Sequence, residues 1–199
     1  MKLNVQSQVV EIRYDTPKHK EQFLVDTNIW IYLYYNRVST PGYSHQDYTY
    51  TPYINKAINA MSDLFYCGLS LAEIAHVIEK KEWDIDLPTL ELKDYRHNYP
   101  AQRDKVVRKV KNIWNSVKRY GKSADITINK DTAQAALTRF QTQLLDGYDL
   151  FLVEAMNKAG VDKIITNDMD FVTVPDIVVF TANSNAIEAA RNQGKLVRR

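Results

Sequence analysis

Cysteine is almost missing: Cys67 is the single thiol in 199 residues. That excludes an internal disulfide and a cysteine-rich metal site, and Cys67 reads as a small buried hydrophobe. Glycine and proline are sparse, six of each, so the chain has few breaks and no flexible Gly/Ser linker. Long apolar runs are missing too. The longest, about Ile29 to Tyr35, falls well below the ~18 residues that cross a bilayer. The segment from Met1 to Asp15 lacks the apolar block of a signal peptide, so the expected location is the cytoplasm, away from membranes. His19, His45, His76 and His97 are scattered without a His-x-x-x-His pair, which argues against zinc. Gly121-Lys122-Ser123 lacks the upstream glycine of a phosphate-binding loop, since Ser116 stands there. No Gly-x-Ser-x-Gly elbow is present.

What remains is the composition of a soluble globular protein, 45% hydrophobic and 25% charged, at a length that suits one domain. Net charge is only +2, but it is unevenly spread. Between Arg103 and Lys122 eight basic residues face one acid, Asp104, so this segment carries +7 and the rest of the chain −5. Such a stripe suits either a phosphate backbone or a solvated helix face.

Hydrophobic spacing predicts alternating strands and helices. Gln22 to Val25 reads as a strand, Asn28 to Asn36 as a helix, and Arg37 to Thr51 as an irregular loop. Ile54 to Asp63 resumes helical spacing, Leu64 to Leu69 suits a strand, and Leu71 to Lys81 a helix. After a poorly patterned stretch between Pro88 and Pro100, apolar positions from Val106 to Val117 mark a long amphipathic helix. Ile126 to Ile128 alternates like a strand, and Asp131 is placed to cap the helix that follows. Asp149 opens a helix that ends at Gly160, and Lys163 to Thr166 and Ile177 to Phe180 close the series as strands. This order predicts an α/β fold with a parallel sheet of about five short strands, covered on both faces. Ligands of such sheets gather beyond the carboxyl ends of the strands.

Four acids occupy strand ends or helix starts in apolar surroundings: Asp26 after Phe23-Leu24-Val25, Glu73 in Ser70-Leu71-Ala72-Glu73, Asp149 in Asp146-Gly147-Tyr148-Asp149, and Asp168 after Ile164-Ile165-Thr166-Asn167. Singly, each reads as a cap, a turn residue or plain surface. Together on one rim they would repel, and a hard divalent cation is what an oxygen-only cluster selects.

At these residues the sequence resembles the PIN-domain family of metal-dependent nucleases. The likeness runs from about Gln22 to Phe180 through Val25-Asp26-Thr27-Asn28, Ser70-Leu71-Ala72-Glu73, Asp149-Leu150-Phe151-Leu152-Val153-Glu154-Ala155 and Ile165-Thr166-Asn167-Asp168-Met169-Asp170-Phe171. It implies a three-layer α/β/α domain over residues 1–199 with its core at about 22–180. A helical insertion is expected at about 82–122 and a basic tail at about 184–199. It also implies a catalytic quartet of Asp26, Glu73, Asp149 and Asp168 holding Mg²⁺ or Mn²⁺, with Asp170 as auxiliary ligand and Asn28 and Thr166 as polar supports. The implied substrate is RNA, with a DNA nuclease or a non-catalytic PIN-like module that binds nucleic acid or a partner protein as alternatives. Arg103, Lys105, Arg108, Lys109 and Lys111 of the basic stripe are the candidates to grip the backbone. The VapC-like toxin subgroup adds a cognate antitoxin and a homodimer as expected partners, although its members are typically shorter than this chain. Seven tyrosines lie between Tyr32 and Tyr53. Packing along a helix and stiffening of the loop is the first reading for them, with base stacking and a protein interface as alternatives.

Overall fold

The computed structural model describes residues 3–35 and 46–199. Strand β1 (Gln8–Glu11) and a 3-10 turn (Ile12–Tyr14) lead to β2 (Gln22–Val25), α1 (Thr27–Tyr34) and α2 (Gln46–Asn59). Next come β3 (Asp63–Tyr66), α3 (Ser70–Asp86), α4 (Leu92–Asn98), α5 (Pro100–Tyr120) and β4 (Lys122–Ser123). The remainder is α6 (Lys130–Thr142), α7 (Asp149–Ala159), β5 (Lys163–Ile165), β6 (Val178–Thr181), α8 (Ser184–Asn192) and β7 (Leu196–Val197). No helix among the described residues is long and apolar enough to cross a membrane.

All strand pairs are parallel, in the order β4-β3-β2-β5-β6-β1-β7. A wholly parallel sheet has both faces covered, so its strands are apolar throughout instead of alternating. In β2 this is visible residue by residue: Phe23 and Val25 enter the layer of α1, α2, α3 and α5, while Leu24 enters the layer of α7 and α8. Phe23 meets Phe180 of β6 edge to face at 5.0 Å between ring centres. The three-layer α/β/α expectation therefore holds.

The sheet has seven strands where about five were expected. Both extra ones, β1 and β7, pair with each other in the register Val9↔Leu196 and Val10↔Val197. Neither is longer than four residues, and their partners lie at opposite ends of the chain, so local spacing gives no signal. The stretch from 184, expected as a basic tail, is folded for the same reason. Ala186, Ile187 and Ala190 bury one face of α8, whose first turn is capped by the Asn183 side chain.

Three further expectations need correction. The irregular loop does not reach Thr51, because α2 begins at Gln46 and carries Pro52 inside it; residues 37–45 of that expectation lie outside the described residues. The strand near β4 falls at Lys122–Ser123, paired with Phe65 and Tyr66, whereas 126–128 is irregular and Ile128 is half exposed. The glycine before β4 is required there: a Cβ on Gly121 would stand 2.8 Å from the Tyr66 ring. Lastly, α6 is capped by Asn129, whose carboxamide oxygen accepts from the Asp131 and Thr132 amides at 3.1 and 3.0 Å, and not by Asp131.

Candidate active site

Strand order reverses direction at the β2–β5 pair, since the chain builds outward from β2 through β3 on one side and from β5 through β6 on the other. Crevices at such a reversal, beyond the carboxyl ends, are where open α/β sheets bind ligands. Asp26 follows β2 and Thr166 follows β5, so the two sit on the opposite lips of this crevice.

Asp26 stands at the N-cap position of α1 but caps nothing. Its side chain is buried, and Oδ2 accepts from Asn28 Nδ2 at 2.5 Å and from Thr166 Oγ1 at 2.5 Å. Thr166 Oγ1 also accepts the Asp168 amide at 2.8 Å, and Asp168 Oδ1 accepts the Asp170 amide at 2.8 Å. Asn28 Oδ1 accepts the Asn167 amide at 3.3 Å. Asn28 and Thr166 thus tie the loop bearing Asp168 directly to the Asp26 carboxylate.

Glu73 reaches the cluster from the first turn of α3, and Asp149 from the first residue of α7. Burial pushes the Asp26 and Asp149 carboxyls well above the usual carboxylate range. For Asp26 the charges of Glu73 and Asp168 add to this, against the lowering effect of the Thr166 hydroxyl. For Asp149 the charges of Asp26, Glu73, Asp168 and Asp146 all add. Glu73 is raised by burial and by Asp146 and Asp168, with Thr27 and His76 opposing. Asp170 is raised by burial, then by Asp168 and Asp146, which sets it at the margin of the group. Mutual repulsion of this kind identifies carboxylates that face one another.

The structure therefore brings Asp26, Glu73, Asp149 and Asp168 within electrostatic reach of each other. Among the described residues, no three His, Cys, Asp or Glu side chains yet converge as a ready metal-ligating group. The donor set nevertheless fits a hard cation. It is all oxygen, and Glu73 Oε2, Thr27 Oγ1 and Ser70 Oγ are buried polar atoms without a hydrogen-bond partner. Thr27 stands close enough to steady the Glu73 charge but not in hydrogen-bonding geometry. Buried groups left unsatisfied in this way call for an ion or water.

Sequence reasoning missed two participants. Asp146 acts on Glu73, Asp149 and Asp170, and its position three residues ahead of Asp149 was the available signal. Tyr50 lay in the segment expected as a loop; it is fully buried on α2, with its hydroxyl against Thr166 and Asn167.

The basic stripe divides. On α5, Arg103 donates to Glu79 at 2.9 Å, Lys105 to Asp86 at 2.9 Å and Glu82 at 3.0 Å, and Lys109 to Glu82 at 2.7 Å. These three lock α5 onto α3. Arg108 and Lys111 are exposed and have no ion-pair partner among the described residues.

A family model described as the PIN domain matches residues 23–177. The chain belongs to the PIN domain family. That match spans β2 through the approach to β6 and contains Asp26, Glu73, Asp149 and Asp168. Among solved structures, the chain is similar to one chain of the crystal structure of VapBC2 from Rickettsia felis bound to a DNA fragment from their promoter. That likeness is 15% in sequence identity, covers 80% of this chain and 98% of that one, and has a TM-score of 0.48. No curated protein matches the chain.

Proposed function

We propose that this PIN domain is a metal-dependent endoribonuclease. One observation carries the reading: Asp26, Glu73, Asp149 and Asp168, from separate segments, come together at the sheet's reversal point, where burial and the charges of their neighbours raise the pKa values of Asp26, Glu73 and Asp149. Uncompensated, that arrangement is costly, and catalytic sites are where such cost is retained.

Asp26, Glu73, Asp149 and Asp168 would hold Mg²⁺ or Mn²⁺, with Asp170 and Asp146 at the rim. Bound there, the ion supplies a Lewis acid for the phosphodiester and a more acidic water. Thr166 and Asn28 fix the orientation of the Asp26 carboxylate. Glu73, with one oxygen unpartnered, is the group placed to orient attacking water. Of the five residues expected to grip nucleic acid, Arg108 and Lys111 are the two left to meet its backbone, a contact that gives affinity and position without sequence preference. The same reading takes RNA as substrate and a cognate antitoxin as protein partner, with the homodimer as its assembly.

The deciding experiment is cleavage of mixed RNA and single-stranded DNA in Mn²⁺, with and without EDTA. RNA cleavage that EDTA abolishes and that Asp26→Asn reduces by about 100-fold or more is the expected outcome. Metal-independent turnover, or turnover unchanged in Asp26→Asn, overturns the assignment. Preferential cutting of DNA would move the substrate while keeping the chemistry.

A further inference from the structure

The backbone ladder between β5 and β6 is interrupted at the very edge of the candidate site. The Thr166 amide donates to Phe180 O at 3.1 Å, and in a parallel pair the next rung would run from the Ala182 amide to Thr166 O. That rung is replaced. The Ala182 amide donates to Tyr50 Oη at 2.9 Å, and Tyr50 Oη in turn lies 3.0 Å from Thr166 O, its acceptor. Thr181 Oγ1 and Asn167 Oδ1 stand 3.1 and 3.0 Å from the same hydroxyl.

We infer that Tyr50 is a positioning residue: its phenol is a wedge between β5 and β6 that sets where Thr166, and through it Asp26 and Asp168, stand around the cation. Backbone groups past a strand's end must find partners, and one hydroxyl here serves both strands while holding them a hydroxyl's width apart. Thr166 is thereby fixed at every polar atom. Its amide is held by β6, its carbonyl by Tyr50, and its Oγ1 by Asp26 and the Asp168 amide. Removing the phenol oxygen either closes the rung, which moves Thr166 toward β6, or strands two buried backbone groups. Both outcomes disturb the Asp26–Thr166–Asp168 link. This inference rests on the proposed metal-dependent reading.

The same helix supplies a control. Tyr53 is as buried as Tyr50, but its hydroxyl donates to Asp15 at 2.5 Å and not to the Thr166–Asn167 stretch. The experiment is Mn²⁺ titration by calorimetry of the wild type, Tyr50→Phe and Tyr53→Phe, with melting temperatures recorded alongside. Both variants should melt lower. Only Tyr50→Phe should bind Mn²⁺ more weakly, by about 10-fold, the lower end of what losing an outer hydrogen bond to a metal site costs. Thr181→Ala, which removes one neighbour of the phenol and leaves Thr166 intact, should shift affinity the same way by a smaller factor, and it serves if Tyr50→Phe does not fold. Equal Mn²⁺ affinity in the wild type, Tyr50→Phe and Thr181→Ala refutes the wedge and leaves the nuclease reading standing. A wild type that binds no Mn²⁺ removes both.

Discussion

Helix α3 carries buried carboxylates of two opposite kinds. Near its start, Glu73 faces Asp146 and Asp168, and burial together with those charges lifts its pKa. Nine residues on, Glu82 is fully buried, yet its neighbours are Lys109, Tyr35 and Lys105. Burial alone would raise it, but their hydrogen bonds prevail and bring it from its ordinary 4.5 to about 2. Glu79 behaves likewise: hydrogen bonds from Arg96 lower its pKa against its burial, with the Arg103 charge adding. Burial alone therefore does not decide which way an acid's pKa moves. The sign of the neighbouring charge does, and here it changes along one helix.

The comparison breaks most visibly if Glu82 is neutralised. Removing one member of a buried ion pair costs about 3–5 kcal/mol, and Lys105 and Lys109 can partly turn to water. Glu82→Gln should therefore cost roughly 2 kcal/mol, a melting shift of about 4–8 °C for a chain of this size, measured by scanning calorimetry. No loss would mean that the ion pairs of Glu82 with Lys105 and Lys109 contribute nothing.

A pH series sharpens the same contrast. Glu82, Glu79 and Glu21 have lowered pKa values, so their stabilisation is complete above their unfolded value and lost as pH falls through their folded values, that of Glu82 being about 2. Asp26, Glu73 and Asp149 are raised, so the metal-free protein is relieved as pH falls from alkaline toward weakly acidic conditions. The melting temperature without metal should pass through a maximum at weakly acidic pH. A monotonic fall from pH 8 downward would contradict the repulsive cluster.

A smaller gain should come from Asp149→Asn in metal-free buffer at neutral pH, on the order of 1 kcal/mol or roughly 2–4 °C. The gain should shrink as pH falls into the ordinary carboxylate range, where the unfolded chain is protonated as well. Added Mn²⁺ should stabilise the wild type more than this variant, because a native-state ligand acts by mass action. Least of all, Arg108→Ala and Lys111→Ala should leave stability unchanged and each lower the salt slope of RNA binding by about 1. Arg103→Ala should instead loosen α3 from α5.

Much of the candidate site was legible because its acids end apolar runs: Phe23-Leu24-Val25 before Asp26 and Ile164-Ile165 before Thr166 mark strand ends without any knowledge of packing. The pairing of Lys105 and Lys109 with Glu82 was not legible, since these residues lie 23 or more positions apart and a helical stripe looks alike whether it faces water or another helix. Tyr50 escaped for a related reason. Polar residues beside Pro41 and Gly42 made the first part of α2 read as loop, and only the tertiary fold inserts its phenol into a strand ladder.

One last consequence follows from the pairing of β7 with β1. Gln193 Nε2 donates to Leu3 O and its Oε1 accepts from the Val5 amide, at 2.8 and 3.0 Å, so the earliest and latest described segments are neighbours. The chain can then be re-cut: a short linker joining these segments, with a new opening in the exposed turn at Pro88 and Thr89, leaves every acid-bearing stretch unbroken. Such a circular permutant should fold to the same sheet.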